Sequence, residues 1–183
     1  MLQLTAYHID AFTDRVFRGN PASVVILDNW LDDTTLQAIA AEHNLAETAF
    51  VVPGDAVHDL RWFTPTCEVD LCGHATLASA YVLLHCRHGF NAPLRFASRS
   101  AGELGVDEAD GMLWLDFPAR PAQTVEQAPA AIEAALGAHS VEWYVGANHL
   151  AVFKDAATVA ALDPDMRALA KCNREDNSGV IAT

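Results

Sequence analysis

Short runs of apolar or alternating residues, separated by turn residues, make up most of the chain before residue 120. Such runs predict β-strands, because successive side chains of a strand point to opposite faces of its sheet. The turn Arg18-Gly19-Asn20-Pro21 separates the first two runs, and Pro65 ends the fourth. The predicted strands span residues 2–12, 22–27, 48–53, 58–64, 94–98, 102–106 and 112–117.

Two helices are predicted among these strands. Asp32 or Asp33 can cap a helix over residues 34–43, which carries an apolar stripe at helical spacing. A second, longer helix is expected from Gly73 to about Arg87. Apolar residues surround this second segment, which predicts a helix buried on nearly all sides. The inward stripe of the first helix consists of Leu36, Ile39 and Ala40.

Part of the pattern recurs weakly near the end of the sequence. Residues 148–153 echo residues 20–25, and residues 177–183 correspond roughly to residues 44–50. A repeat of this length indicates two similar halves, although any strand-then-helix unit resembles another to some degree. The helix at 34–43 has its echo in Met166, Leu169 and Ala170.

The repeat predicts an N-terminal half over residues 1–110 and a second half over residues 111–183. The second half has no counterpart of the helix that begins at Gly73, so we expect that half to be incomplete.

Composition narrows the functional classes. The chain has 183 residues, of which 51% are hydrophobic and 19% charged, as in an ordinary folded protein. Its formal net charge of −13 argues against nucleic acid as a partner, because phosphates would be repelled by most of the surface. No apolar run reaches the roughly 18 residues that a membrane-spanning helix needs, so no membrane partner is expected.

The compartment is predicted to be cytoplasmic. The first eight residues alternate and carry neither a basic region nor a long apolar run, so they are not expected to be a signal peptide. Four cysteines without CxxC spacing indicate reduced thiols.

Two segments stand out chemically. Glu47 places a carboxylate where an alanine-rich helix gives way to the apolar strand Ala49-Phe50-Val51-Val52. Gly73 and His74 open the long apolar helix. A partly buried acid and a histidine at a helix N-terminus form a hypothetical proton-transfer site.

Five motifs occur in a fixed order and together closely resemble the PhzF-like (phenazine biosynthesis) family, which is related to diaminopimelate epimerase. The resemblance is strong before residue 120 and looser beyond it. Any one of the motifs alone would be weak. They are Ile9–Thr13, Arg18–Ala22, Asn44–Phe50, Arg61–Pro65 and Asp70–Thr76.

The resemblance implies an α+β, diaminopimelate-epimerase-like fold of two pseudo-symmetric halves. Each half is a β-barrel-like sheet around a central helix, and the active site lies in the cleft between them. It also implies an isomerase or epimerase that uses no cofactor, acts on a small carboxylated molecule and is often a homodimer. The sequence contains no G-S-A-H segment, which the family carries in its second half with an aspartate. The resemblance therefore implies a truncated second half.

The resemblance also assigns roles to individual residues. Glu47 corresponds to the family's proton carrier, and Gly73 and His74 correspond to residues that contact the substrate from across the cleft. A partly buried carboxylate suits proton transfer, because burial disfavours its charged form. Free N–H groups and the helix dipole at Gly73 and His74 favour a substrate carboxylate or enolate. Asn20 could point its amide into the site, or serve only as a turn residue.

Other site chemistries have less support. Cys72 aligns with a catalytic thiol of the epimerase relatives, but packing is the favoured interpretation in a PhzF-like protein. No metal site is expected, because Cys67, Cys72 and His74 lack a recognised ligand spacing. No glycine-rich nucleotide motif is present.

A competing hypothesis is a catalytically incompetent fragment that acts as a binding or dimerisation module. The sequence ends in a strand-like segment, Gly179–Thr183, whose edge would expose backbone hydrogen-bonding groups unless another strand covered it.

Overall fold

The computed structural model describes residues 3–172 and 179–183. These residues form two compact units, one ending at Pro118 and the other beginning at Ala119. The first unit contains β1 (Ala6–Ala11), β2 (Asn20–Ile26), α1 (Asp33–His43), β3 (Glu47–Val52), β4 (His58–Phe63), β5 (Glu68–Val69), α2 (Gly73–Tyr81), β6 (Leu94–Ser98), β7 (Gly102–Ala109) and β8 (Met112–Asp116).

All the strands predicted before residue 120 are present. They form one sheet in the order β1-β2-β3-β4-β6-β7-β8, with β5 paired to β4. The β2–β3 and β4–β6 pairs are parallel and the others are antiparallel. The first strand was predicted to begin at residue 2, but β1 begins at Ala6. Ala6 pairs with Val25, which is next to the last residue of β2, so little of β2 is left to pair with earlier residues.

The sheet curls around α2, as predicted. Its two end strands, β1 and β8, both contact this helix, and so do β2 and β3. Alternate residues of β2 and β3 therefore face α2, while those between them face α1 on the other side of the sheet. Val24, Ala49 and Val51 belong to the core around α2, and Val25 and Phe50 to the core beneath α1.

Small residues allow α2 to lie inside the sheet. Ala75, Ala78 and Ala80 are buried, and two hydroxyl groups in the same helix satisfy themselves locally. Thr76 Oγ1 donates to the carbonyl of Cys72 at 2.6 Å, and Ser79 Oγ donates to that of Ala75 at 2.7 Å. Such bonds remove the cost of burying a hydroxyl group.

The chain is helical from Gly73 to Cys86, close to the predicted end at about Arg87, but the π-helical form of the last turn was not predicted. The α-helix ends at Tyr81 and a single π-helical turn, Val82–Cys86, follows. The wider turn changes the direction of the side chains. Val82 and Leu83 stay buried, whereas Tyr81, which was expected inside, is 43% exposed.

The second unit contains β9 (Gln123–Thr124), α3 (Ala130–Leu136), β10 (Glu142–Val145), β11 (His149–Val152), α4 (Ala156–Ala160), α5 (Met166–Cys172) and β12 (Val180–Ala182). Its sheet has the order β12-β11-β10-β9, and β12 runs parallel to β11. Residues of α3 and α5 pack on β10 and β11 to form a separate core.

The weak internal echo is only partly reproduced. A strand and a helix lie where it placed them, at β11 and α5. Leu169 is buried, but Met166 and Ala170 are exposed, so α5 lacks the inward stripe of α1. The expected counterpart of residues 44–50 begins at 177 and 178, which lie outside the described residues. The predicted division at 110/111 falls in the turn between β7 and β8, and both of these strands belong to the first unit.

Arg61 on β4 is a buried charge held by two acids. Its guanidinium donates to both carboxylate oxygens of Glu68 at 2.6 and 2.7 Å, and to Asp33 at 2.8 Å. It also lies over the rings of Phe63 and Trp30. The bidentate pair links β5 to β4, and the bond to Asp33 adds the start of α1. Because β5 leads directly into α2, this cluster fixes the approach of the chain to that helix.

Replacing Glu68 by glutamine is expected to destabilise the first unit. The change leaves Arg61, which is 2% exposed, without its bidentate partner. We expect the free energy of unfolding to fall by about 2–3 kcal/mol. This loss is just below the usual range for breaking a buried ion pair, because the Glu68 side chain is 34% exposed. Urea denaturation at neutral pH measures the change.

Glu103→Gln is the matched control. Glu103 pairs with Arg95 at 3.7 Å on the surface, and its loss should cost about 0–1 kcal/mol. Equal losses for the two variants would show that the Arg61 cluster does not hold β5 in place.

Candidate active site

Glu47 is the first residue of β3 and lies where the chain reverses after α1. Asn44 caps α1 in the left-handed conformation, with φ of 50°, and its N–H donates to the carbonyl of Ala40. Asparagine tolerates this conformation, so the helix can end and the strand begin within three residues. The Glu47 side chain is 21% exposed, while the next four residues of β3 are buried. Its carboxylate is therefore partly sheltered but open on one side.

His74 is the second residue of α2 and faces Glu47. Its side chain is only 9% exposed, and Nε2 lies 3.3 Å from Oε2 of Glu47. The two groups are in electrostatic contact, but the angles do not make a hydrogen bond. The buried Nε2 atom has no hydrogen-bond partner among the described residues. A buried polar atom of this kind is rare in a folded protein and indicates a place for a ligand.

The imidazole of His74 is held in its neutral form. Burial lowers the pKa of His74 below its ordinary value of 6.5, while the Glu47 carboxylate and the backbone carbonyl of Pro21 act in the opposite direction. Desolvation is the largest of these effects, because removing the ring from water penalises its charged form. His74 is therefore expected to be uncharged at neutral pH.

Cys72 lies on the other side of the imidazole ring. Its Sγ atom is 3.4 Å from Nδ1 of His74. Burial raises the pKa of the Cys72 thiol to about 12; the charge of Glu47 adds to this effect, and the N–H groups of Ala75 and His74 oppose it. A protonated thiol can donate weakly to Nδ1, which favours the tautomer with its proton on Nε2, towards Glu47.

Gly73 and Asn20 occupy different parts of the same region. A Cβ atom added at Gly73 would be 3.8 Å from the nearest side chains, those of Leu115 and Phe117. The protein itself therefore has room for a methyl group at this position. Asn20 is exposed at the start of β2 and lies two residues before Ala22, the register partner of Glu47.

Sequence reasoning missed two of these contacts. The backbone carbonyl of Pro21 acts on His74, but a carbonyl leaves no signal in the sequence. Cys72 was expected to be a packing residue, and it is indeed buried, yet its thiol also touches the imidazole. The spacing of Cys72 and His74 around the helix N-terminus was the available signal.

Residues of the second unit line two open cavities, with volumes of about 540 and 490 Å³. Neither includes Glu47, Cys72 or His74. The cluster of interacting titratable groups, rather than cavity size, identifies the candidate site.

A curled sheet around a buried helix, with a carboxylate and a neutral imidazole at the helix N-terminus, defines a protein with the diaminopimelate-epimerase-like fold. The family follows from direct comparison. The chain belongs to the PhzC-PhzF family of phenazine biosynthesis-like proteins, whose family model matches residues 9–182.

Individual relatives agree with this assignment. An uncharacterized isomerase of Pseudomonas aeruginosa is 50% identical over 168 residues, which cover 92% of this chain and 64% of the relative. The human phenazine biosynthesis-like domain-containing protein is 46% identical over 146 residues, 74% of this chain and 50% of its own length.

Solved structures support the fold. A PhzF-family protein of Enterococcus faecalis has a TM-score of 0.85 at 43% identity, covering 99% of this chain and 68% of the other. A hydroxyproline epimerase of Agrobacterium vitis has a TM-score of 0.54 at 10% identity, covering 86% of this chain and 53% of the other. At that identity the likeness concerns the fold alone.

The matched part of the chain spans 64% and 65% of the length of two isomerases of Pseudomonas aeruginosa and 50% of the human relative. In the part of the chain that the structure describes, no helix combines the length and apolarity required to cross a membrane.

Cys72 is expected to resist alkylation in the folded protein. With a pKa of about 12 instead of 9.0, its thiol is ionised about a thousandfold less than an ordinary thiol at neutral pH, and the thiolate is the reactive form. Cys67 and Cys86 are exposed and serve as internal controls. Iodoacetamide treatment followed by peptide mass spectrometry should show both controls modified long before Cys72. Labelling of Cys72 as fast as Cys67 in the folded protein would contradict the assigned environment.

Proposed function

We propose that this protein is a cofactor-independent isomerase that moves a proton between carbons of a small carboxylated substrate. One observation carries the proposal: the Glu47 carboxylate lies 3.3 Å from a buried, neutral imidazole whose Nε2 atom has no hydrogen-bond partner within residues 3–172 and 179–183. The isomerases among its relatives give the reaction class.

Glu47 is the proposed proton carrier. Its carboxylate removes a proton from a carbon acidified by a neighbouring carbonyl or double bond, and the electron pair left on carbon delocalises into that group. The same carboxyl group then returns the proton to a different carbon, or to the other face of the same one. The Glu47 side chain is 21% exposed, which gives a substrate access to its carboxylate.

His74 is the proposed partner for the charge that develops on the substrate. With its proton on Nε2 the ring offers a hydrogen-bond donor that no protein group uses among the described residues. A neutral donor does not neutralise the adjacent Glu47 carboxylate as an imidazolium would. It can therefore stabilise an enolate oxygen without weakening the base.

Gly73 and Asn20 are proposed to bind the substrate. First-turn N–H groups of a helix have no partners within the helix and favour an anion such as a carboxylate. Glycine at position 73 leaves that backbone open to a ligand, since the fold itself has space for a side chain there. The amide of Asn20 is placed at the nearby start of β2. We also propose that the protein forms a homodimer and is located in the cytoplasm.

Exchange with solvent deuterium tests the function. Small carboxylic acids with an acidified C–H bond are incubated with the protein in deuterium oxide, and incorporation is followed by mass spectrometry. Glu47→Gln is expected to reduce incorporation at least about a hundredfold, the contribution typical of a general base. Glu42→Gln, which changes an exposed glutamate of α1, is the matched control and should exchange as the unchanged protein does.

Equal incorporation by the unchanged protein and the Glu47→Gln variant would remove Glu47 from the mechanism. No incorporation into any of the acids by the unchanged protein would favour the competing hypothesis of a binding or dimerisation module.

A further inference from the structure

Three chemically different ligand groups meet at the N-terminus of α2. One potential ligand atom from each of Glu47, Cys72 and His74 lies within 4.8 Å of the other two. Sequence spacing gave no indication of this set, because Glu47 reaches it from a separate strand. Carboxylate oxygen, thiolate sulfur and imidazole nitrogen are all common ligands of zinc, and three protein ligands are typical of a site with one open position.

The three potential ligand atoms lie within 4.8 Å of one another, so they must move somewhat closer together to bind one zinc ion. Zinc bond lengths of about 2.0–2.3 Å imply roughly 3.3–3.6 Å between neighbouring ligand atoms in a tetrahedral site. The Glu47–His74 and Cys72–His74 contacts measure 3.3 and 3.4 Å. They involve opposite nitrogens of the ring, so rotation of the Cys72 or Glu47 side chain must bring both ligands to the same nitrogen.

An independent observation points to a ligand at this place. Nε2 of His74 is buried and has no hydrogen-bond partner among the described residues, and the side chain that carries it is 9% exposed. A neutral imidazole has one lone pair, and moving its proton from Nε2 to Nδ1 puts that lone pair on Nε2, where a metal can bind. The partly exposed side of Glu47 leaves a route for an ion to enter.

The charge balance favours a divalent cation with affinity for sulfur. A carboxylate and a thiolate together neutralise two positive charges, and the chain as a whole carries −13. The positive end of the α2 dipole opposes a cation but stabilises a thiolate. Magnesium and calcium prefer oxygen ligands alone, whereas zinc accepts this mixed set.

We propose that Glu47, Cys72 and His74 bind one zinc ion, and that the bound ion inhibits the protein. On binding, the Cys72 S–H bond breaks, its proton leaves to solvent and a zinc–sulfur bond forms, without any change of oxidation state. The inhibition rests on the proposed function, because zinc occupies the lone pairs that Glu47 needs as a base. The binding itself does not depend on that function.

Titration of the chelator-treated protein with Co²⁺ tests the site, because Co²⁺ bound to a thiolate has a charge-transfer absorption band in the near ultraviolet. We expect saturation at one ion per chain, and loss of the band when zinc is added. Cys72→Ser should abolish the band and weaken binding at least about tenfold. Cys86→Ser, which changes an exposed cysteine outside the set, should bind as the unchanged protein does.

Two results would overturn the site: no saturable binding, or the same band and affinity in the Cys72→Ser variant. If circular dichroism shows that this variant does not fold, X-ray absorption of the zinc adduct of the unchanged protein decides. One sulfur ligand beside nitrogen and oxygen ligands supports the site, and a shell without sulfur excludes it.

The deuterium-exchange assay separates this proposal from the proposed function. Zinc should suppress exchange at the concentration that saturates the cobalt site. Exchange that continues at full occupancy contradicts the inhibition while leaving the binding site intact. Saturable binding by a protein that exchanges no substrate leaves the metal site standing and the isomerase proposal unsupported.

Discussion

Burial of α2 inside the curled sheet is the constraint on which the rest of the structure depends. A helix enclosed by strands on several sides needs small side chains, and its hydroxyl groups must find acceptors within the helix, as those of Thr76 and Ser79 do. Because the helix is fixed, its first turn is fixed as well. That turn presents Cys72 and His74 to the start of β3, where Glu47 lies.

The same burial sets the chemistry of the site. Removal from water keeps the imidazole of His74 neutral and the thiol of Cys72 protonated, both being the uncharged forms. Glu47 is the least buried of the three groups, with a side chain that is 21% exposed. Among the residues that the structure describes, Nε2 of His74 also has no hydrogen-bond partner. Both the proposed enolate contact and the proposed zinc site would use this atom.

Local patterns predicted the positions of the elements better than their contacts. Apolar periodicity located α1 and α2, and the ordered motifs led to the family and to Glu47 as the proposed catalytic residue. Periodicity cannot show that His74 approaches Glu47, because that contact depends on how the sheet curls. Nor can it show that Arg61, within the predicted strand 58–64, is enclosed by two acids and two rings. The helix α3 was not predicted. Pro129 precedes it and no side chain of the described residues caps it, so Gly137 at its end was the available signal.

The coupling between Glu47 and His74 is the central claim, and NMR titration of the His74 imidazole tests it most directly. In the unchanged protein the pKa of His74 should lie below its ordinary value of 6.5, because burial outweighs the attraction of Glu47. Glu47→Gln removes the charge that favours the imidazolium, so the pKa should fall further in that variant. A His74 pKa that is the same in both proteins, or that lies at or above 6.5 in the unchanged one, would contradict the account.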